Sequence, residues 1–164
     1  MTLAQATLCL VRRRGASDDL LLGRKKRGFA AGKYGGFGGK VHDGETIAAA
    51  AARELAEECG LLVSPHDLRK VAALTFIFPH HPAWDQVVHT FLVERWQGEP
   101  AESEEMAPAW YAVAEIPYAA MWDDSLFWLP PVLAGKHLAA RFTFGADNET
   151  VAQVEISVSA SGVS

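Results

Sequence analysis

Residues 4–12 alternate weakly between apolar and polar positions and are rich in Leu and Val, which predicts a strand. A turn over 15–19 and a second strand at 20–24 complete an opening hairpin. Between 68 and 79 both sides of the alternation are apolar, because Val71, Ala73, Thr75 and Ile77 interleave with Ala72, Leu74, Phe76 and Phe78. Such a run predicts a central strand covered on both faces, and 84–96 supplies a matching one. Short strands follow at 40–41 and 110–113, and 137–144 with 150–159 predict a closing hairpin about the turn at 145–148. The period changes after Glu45. Wound at about 100° per residue, the next segment places Ala48, Ala52, Leu55 and Cys59 on one stripe and Glu54, Glu57 and Glu58 on the opposite side. Gly60 predicts the left-handed cap that ends this helix. Asp123, Asp124 and Ser125 offer an N-cap for a second helix over 126–134, which Pro130 and Pro131 keep short or kinked. These elements predict one α/β domain over 1–164, with a frayed tail at about 160–164.

Three carboxylates within about one turn repel one another, and each like-charged pair weakens a helix by roughly 0.2–0.5 kcal/mol. Arg53, four residues before Glu57, neutralises one charge and leaves two. Carboxylate oxygens are hard ligands, so the face suits Mg²⁺, with Mn²⁺ as a substitute. Gly35, Gly36, Gly38 and Gly39 precede the helix and let the backbone approach a ligand closely. Ahead of them Arg24, Lys25, Lys26 and Arg27 form a basic run suited to clamping outer phosphates. Of the aromatic residues among these glycines, Phe29 is expected in a pocket and Phe37 in the core. His80 and His81 are adjacent in a strand pattern and point to opposite faces, which argues against a metal site there.

A net charge of −5 argues against wrapping duplex nucleic acid, which needs a basic face. The chain is long enough to bury about two thirds of its unfolded surface. The first residues lack a signal-peptide pattern, and no run approaches the ~18 apolar residues of a membrane span. The protein is therefore expected in the cytoplasm, as a monomer without a membrane partner. Cys9 and Cys59 read as small buried hydrophobes.

Gly39, Glu45, Arg53-Glu54-Leu55, Glu57-Glu58, Gly60 and Leu61 match every fixed position of the Nudix box, nine positions across 23 residues. Lys25-Lys26-Arg27-Gly28-Phe29, Gly32, the run 36–41, Glu104-Glu105-Met106, Ile116-Pro117, Met121-Trp122 and Asp123-Asp124-Ser125 extend the likeness. Together they resemble the oxidised-purine nucleoside triphosphatase branch of the Nudix family over nearly the full chain.

The resemblance implies the Nudix fold, a mixed β-sheet sandwiched between helices (α/β/α). It implies Mg²⁺-dependent hydrolysis of oxidised purine nucleoside triphosphates to a monophosphate and pyrophosphate. Glu54, Glu57 and Glu58 would hold the metal, with a backbone carbonyl at Gly38 or Gly39 and a further carboxylate from Glu105. Glu58 or Glu57 would orient or deprotonate the attacking water, and Arg53 would pair with Glu45 to hold helix and loop together. The implied substrate-binding set is Thr7, Lys25, Phe29, Gly35, Phe76, Phe78, Met106, Trp122, Asp123 and Asp124. Adjacent carboxylates in an apolar surround split their pKa values, so the Asp123–Asp124 pair could both accept from and donate to a purine edge.

Two departures from the branch matter. Relatives carry an asparagine just after the aromatic of the glycine loop, whereas Tyr34 is followed here by Gly35. The proline between the tryptophan and the aspartates is also missing. Without the amide, broader purine selectivity or a different modified base is expected. Two alternatives stay open: a Nudix hydrolase of dinucleoside polyphosphates or ADP-ribose, and a non-catalytic nucleotide-binding module.

Overall fold

The computed structural model describes residues 2–159, so the expected frayed tail lies outside the described residues. Its elements in chain order are β1 (Ala4–Arg14), β2 (Asp18–Lys25), β3 (Tyr34–Gly35), α1 (Ile47–Cys59), β4 (Leu68–Ile77), β5 (Gln86–Val93), β6 (Met106–Ala112), α2 (Ser125–Leu133), β7 (His137–Phe144) and β8 (Val151–Ser159). All strands join one eight-stranded sheet in the order β3-β2-β1-β5-β4-β7-β8, with β6 also paired to β2. The sheet is mixed, as expected: β1 runs parallel to β5 and β4 parallel to β7, while the other pairs are antiparallel.

The two-residue period of the strands divides the core. On β1, Cys9 and Val11 face α1 together with Leu21, Leu55 and Phe91. Leu10 faces the other side, with Leu20, Leu74, Leu92 and Trp128 of α2. Helices therefore lie on opposite faces of the sheet, and the run of apolar residues on both sides of β4 and β5 follows from burial on both sides.

Thr46 caps α1 by accepting from the Ala49 N–H at 3.1 Å. Gly60 closes it with φ 78° and donates to the Ala56 carbonyl at 3.0 Å. The buried stripe is Ala50, Ala51, Leu55 and Cys59, so the expected Ala48 and Ala52 are replaced by their neighbours. Five consecutive alanines carry no periodic signal, and tertiary packing chooses the face. Ala51 turns inward where its carbonyl meets the Cys9 thiol at 3.7 Å.

Two strand expectations need correction. Residues 40–41 form only an isolated bridge, Ala6 with Lys40. β6 starts at Met106, four residues ahead of the strand expected at 110–113, because it pairs with β2 from Lys25–Met106 to Asp19–Ala112. α2 contains both prolines and is nine residues long. Its C-terminal Leu133 carbonyl accepts from buried Arg12 Nη1 at 2.9 Å, while the same guanidinium holds Asp18 at 2.8 Å. Among the described residues, no helix is long and apolar enough to cross a membrane.

Candidate active site

Glu58 sits where the end of α1 meets the glycine loop. Its Oε1 accepts from the Gly38 N–H at 2.7 Å, and its side chain is half-buried, not solvent-facing. Burial pushes its pKa up to about 7; the Gly38 N–H opposes this, Glu54 adds to it, and Lys25 pulls it down. Glu54 lies against Gly39, where a Cβ would fall 2.6 Å from its carboxylate, so only glycine lets backbone and carboxylate approach this closely.

Arg53 ties the loop to the helix. It forks onto Glu45 at 2.7 and 3.0 Å, reaches the Lys40 carbonyl at 3.1 Å and holds Glu54 at 2.9 Å. Glu57 is 58% exposed and touches the same guanidinium at 3.4 Å. Glu45 also accepts from the His42 N–H at 3.0 Å, and these bonds, Arg53 first, hold its pKa down to about 2.

Lys26 and Arg27 of the basic run are spent on glutamates around the start of β6. Lys26 pairs with Glu102, and Arg27 pairs with Glu104 and Glu105 at 3.1 and 3.0 Å. Neither cation lines the cavity described below, and of the four-cation run only Lys25 does. Glu105 raises the proton affinity of Glu58 as a minor cause, yet its side chain is held by Arg27.

Among the described residues, no three His, Cys, Asp or Glu side chains stand together as a metal site. Arg53 pairs with Glu54 and Glu57, and Arg27 pairs with Glu105. The donor set still fits a hard divalent cation: Glu54, Glu57 and Glu58 offer only oxygen, and two of them border backbone at Gly38 and Gly39.

A cavity of about 550 Å³ opens beside Glu58. Thr7, Lys25, Gly35, Gly38, Met106 and Asp124 line it, together with the aromatic residues Phe29, Phe76, Phe78 and Trp122. Phe29 is 53% exposed at the mouth, with ring centroids 4.5 Å from Trp84 and 5.6 Å from Trp122. Phe78 stacks on Phe144 at 4.5 Å, and Phe76 stacks on Phe142 at 5.7 Å. The chemistry of this space is an apolar slot for a flat ring, open at one end to a cation and a carboxylate.

A model of the NUDIX domain matches residues 2–129. The chain belongs to the Nudix family. Among its Nudix relatives, the oxidized purine nucleoside triphosphate hydrolase of Danio rerio is 47% identical over 125 residues, 76% of this chain and 78% of that protein. The protein of the same name from Mus musculus is 46% identical over 132 residues, 80% of this chain and 82% of that one. A solved mutator MutT protein from Bacillus halodurans shares the fold, with a TM-score of 0.80 at 23% identity over 94% of this chain and 97% of that one.

Within this Nudix fold, nine of the ten expected substrate-binding residues line one cavity, and Asp123 is the exception. Its carboxylate accepts from the Val151 N–H at 2.8 Å at the start of β8 and is turned away from the pocket. Asp124 takes the inner position: it is 5% exposed, and its Oδ2 accepts from Trp128 Nε1 at 2.8 Å instead of capping α2. Burial pushes its pKa up to about 6, with the Trp128 N–H opposing.

Lys33, Trp84 and Ser125 are among the lining residues that the expected substrate-binding set does not include. Lys33 lies 5.1 Å from the Trp122 ring, Trp84 packs at a 50° tilt against Phe29, and Ser125 is buried next to Asp124. Lys33 is legible as a cation inside the glycine loop. The Trp84 role is not, because a short 3₁₀ turn at Pro82–Trp84, not a strand, presents its ring.

Proposed function

We propose that this chain hydrolyses purine nucleoside triphosphates, oxidised purines included, to a nucleoside monophosphate and pyrophosphate in the presence of Mg²⁺, with Mn²⁺ as a substitute. The observation that carries this reading is that Glu58 of the box borders the same cavity as the aromatic slot of Phe29, Trp122 and Asp124. A base in the slot sends its phosphates toward Lys25 and the acidic end of α1. The names of the fish and mouse relatives support the oxidised purine as substrate.

Glu54, Glu57 and Glu58 would hold the divalent ion, which supplies phosphate charge neutralisation and lowers the pKa of water. Glu58 has the position and proton affinity to take a proton from water, and the Gly38 N–H fixes its orientation. Arg53 keeps Glu45 and the 39–45 loop against α1, so the glycine backbone stays beside the carboxylates. Lys25 faces the phosphates as a point charge. The protein works as a cytoplasmic monomer in sanitation of the nucleotide pool, which protects DNA from damaged precursors.

The test is turnover by purified protein with Mg²⁺ on 8-oxo-dGTP, 2-hydroxy-dATP, dGTP, diadenosine tetraphosphate and ADP-ribose. Pyrophosphate and monophosphate are expected from the first three. Turnover confined to the last two, or none at all, would overturn the proposal.

A further inference from the structure

Ser103 lies outside the cavity and bonds to two residues that line it, Glu58 and Met106. Its neighbours Glu102 and Glu104 are exposed, but its own side chain is half-buried. Its Oγ donates to the Glu58 main-chain carbonyl at 2.8 Å and accepts from the Met106 N–H at 3.1 Å. Its own N–H donates to the Met106 carbonyl at 2.9 Å, which closes a tight turn. The one proton of the hydroxyl is used, and so is one of its lone pairs.

The last four carbonyls of an α-helix have no partner within it. In α1 the Ala56 carbonyl is met by the Gly60 N–H at 3.0 Å, the Cys59 carbonyl by the Ala101 N–H at 2.9 Å, and the Glu58 carbonyl by Ser103. Residues 101–106 therefore cap the turn that carries Glu58 from another part of the chain, and they run directly into Met106 at the start of β6. Met106 belongs to the apolar wall of the cavity and lies across Gly23 of β2, where an added Cβ would fall 2.7 Å from its Cε. Lys26 holds this turn to the end of β2: its N–H donates to the Glu105 carbonyl at 2.9 Å and its Nζ to the Ser103 carbonyl at 2.9 Å.

We propose that Ser103 is a positioning residue for Glu58: its hydroxyl fixes the last turn of α1 against the wall at Met106, so that the carboxylate and a seated base lie at one set distance. This rests on the hydrolytic reading of the site. Glu58 is then gripped twice, on its carboxylate by the Gly38 N–H at 2.7 Å and on its main chain by Ser103. Without the hydroxyl, the Glu58 carbonyl loses its partner and the Met106 N–H its acceptor. The end of the helix and the wall are then free to shift independently.

Amide hydrogen exchange of the ligand-free protein, resolved by NMR, tests this without requiring turnover. In Ser103→Ala the Met106 N–H should exchange about 2- to 10-fold faster, the range of one hydrogen bond. A purely local role ends there. The positioning role adds that the Gly38 N–H, which is linked to Ser103 through Glu58, speeds up by a similar factor. In Mg²⁺ assays with 8-oxo-dGTP, kcat and kcat/KM should fall together by about 10- to 100-fold, because misplacing a reacting group by about 1 Å can cost about 100-fold. In a Glu58→Gln background the same substitution should cost little more, since the group it positions is already gone. Ser103→Thr keeps the hydroxyl and should hold Gly38 exchange and turnover near the wild type. Ser103→Cys, a weak donor, is read in place of the alanine variant if that one does not fold. The inference is overturned if Gly38 exchange is unchanged in the folded alanine or cysteine variant, if the loss of rate is as large without the Glu58 carboxylate, or if threonine does no better than alanine. Should Gly38 exchange respond as expected while the wild type turns over no triphosphate, the hydrolytic proposal fails and Ser103 stands as the tie between Met106 and Glu58.

Discussion

Gly38 and Glu58, 20 residues apart, are joined by a 2.7 Å hydrogen bond from backbone N–H to carboxylate. A Cβ at position 38 would fall 1.8 Å from the Thr7 carbonyl oxygen, so β1, the loop and the carboxylate are held in mutual register. Glu58→Gln keeps an acceptor for that N–H and removes a carboxylate whose pKa burial pushes up to about 7. Folding should survive, while hydrolysis falls by about 10²–10⁴-fold, the usual contribution of a general base. Single-turnover pyrophosphate release, with urea unfolding as the control, checks both halves. A near wild-type rate would remove Glu58 from the chemistry.

Arg53→Lys keeps the charge but loses the planar fork that spans Glu45, Glu54 and the Lys40 carbonyl. Activity should drop about 10- to 100-fold, as for other residues that orient metal ligands. Glu45, normally near 4.5, is held at about 2, chiefly by Arg53. A carboxylate depressed on folding stabilises the fold above its unfolded pKa, and that stabilisation disappears as pH falls through the folded value. The wild-type advantage over Arg53→Lys in Tm should therefore shrink between pH 4.5 and 2. An advantage that stays constant across the window would separate Glu45 from Arg53.

Local chemistry is readable from the chain, and tertiary choice is not. Gly60 announces its left-handed cap and the apolar runs of β4 and β5 announce two-sided burial, while the Arg53–Glu45 pair follows from the resemblance to the Nudix box and not from spacing. The face of α1 cannot be read through Ala48, Ala49, Ala50, Ala51 and Ala52, because identical side chains leave packing to decide. Lys26 and Arg27 look free for phosphate until β6 folds onto β2 and brings Glu102, Glu104 and Glu105 to them. The aspartates fail for a related reason. Which of Asp123, Asp124 and Ser125 faces the slot depends on where α2 begins, and the Val151 N–H that captures Asp123 lies 28 residues away.

Gly35 lines the cavity with open space at its Cβ position, and it has no positive φ to forbid a side chain. Gly35→Asn should fold normally and place an amide against the base. The expected gain is about 2- to 10-fold in the ratio of kcat/KM for 8-oxo-dGTP over dGTP, one hydrogen bond's worth. Paired steady-state assays measure it. An unchanged ratio in a variant of unaltered Tm would mean that the base does not pass this residue.

Asp124 is buried against Trp128, and its pKa rises on folding from about 3.8 to about 6. The folded state thus holds this proton more tightly, so it binds more protons than the unfolded chain between those values. Stability contributed by the group falls as pH rises through the window and is flat above it. Asp124→Asn cannot titrate, and its amide oxygen can still accept from Trp128 Nε1. Relative to that variant, the wild type should lose up to roughly 3 kcal/mol of unfolding free energy between about pH 4 and pH 6.5, because each tenfold gain in proton affinity on folding is worth about 1.4 kcal/mol. Urea midpoints of the two proteins at pH 4, 5, 6 and 7 give the difference directly. A difference that does not change with pH would mean that Asp124 is as well solvated in the folded protein as in the unfolded chain, against its burial beside Trp128.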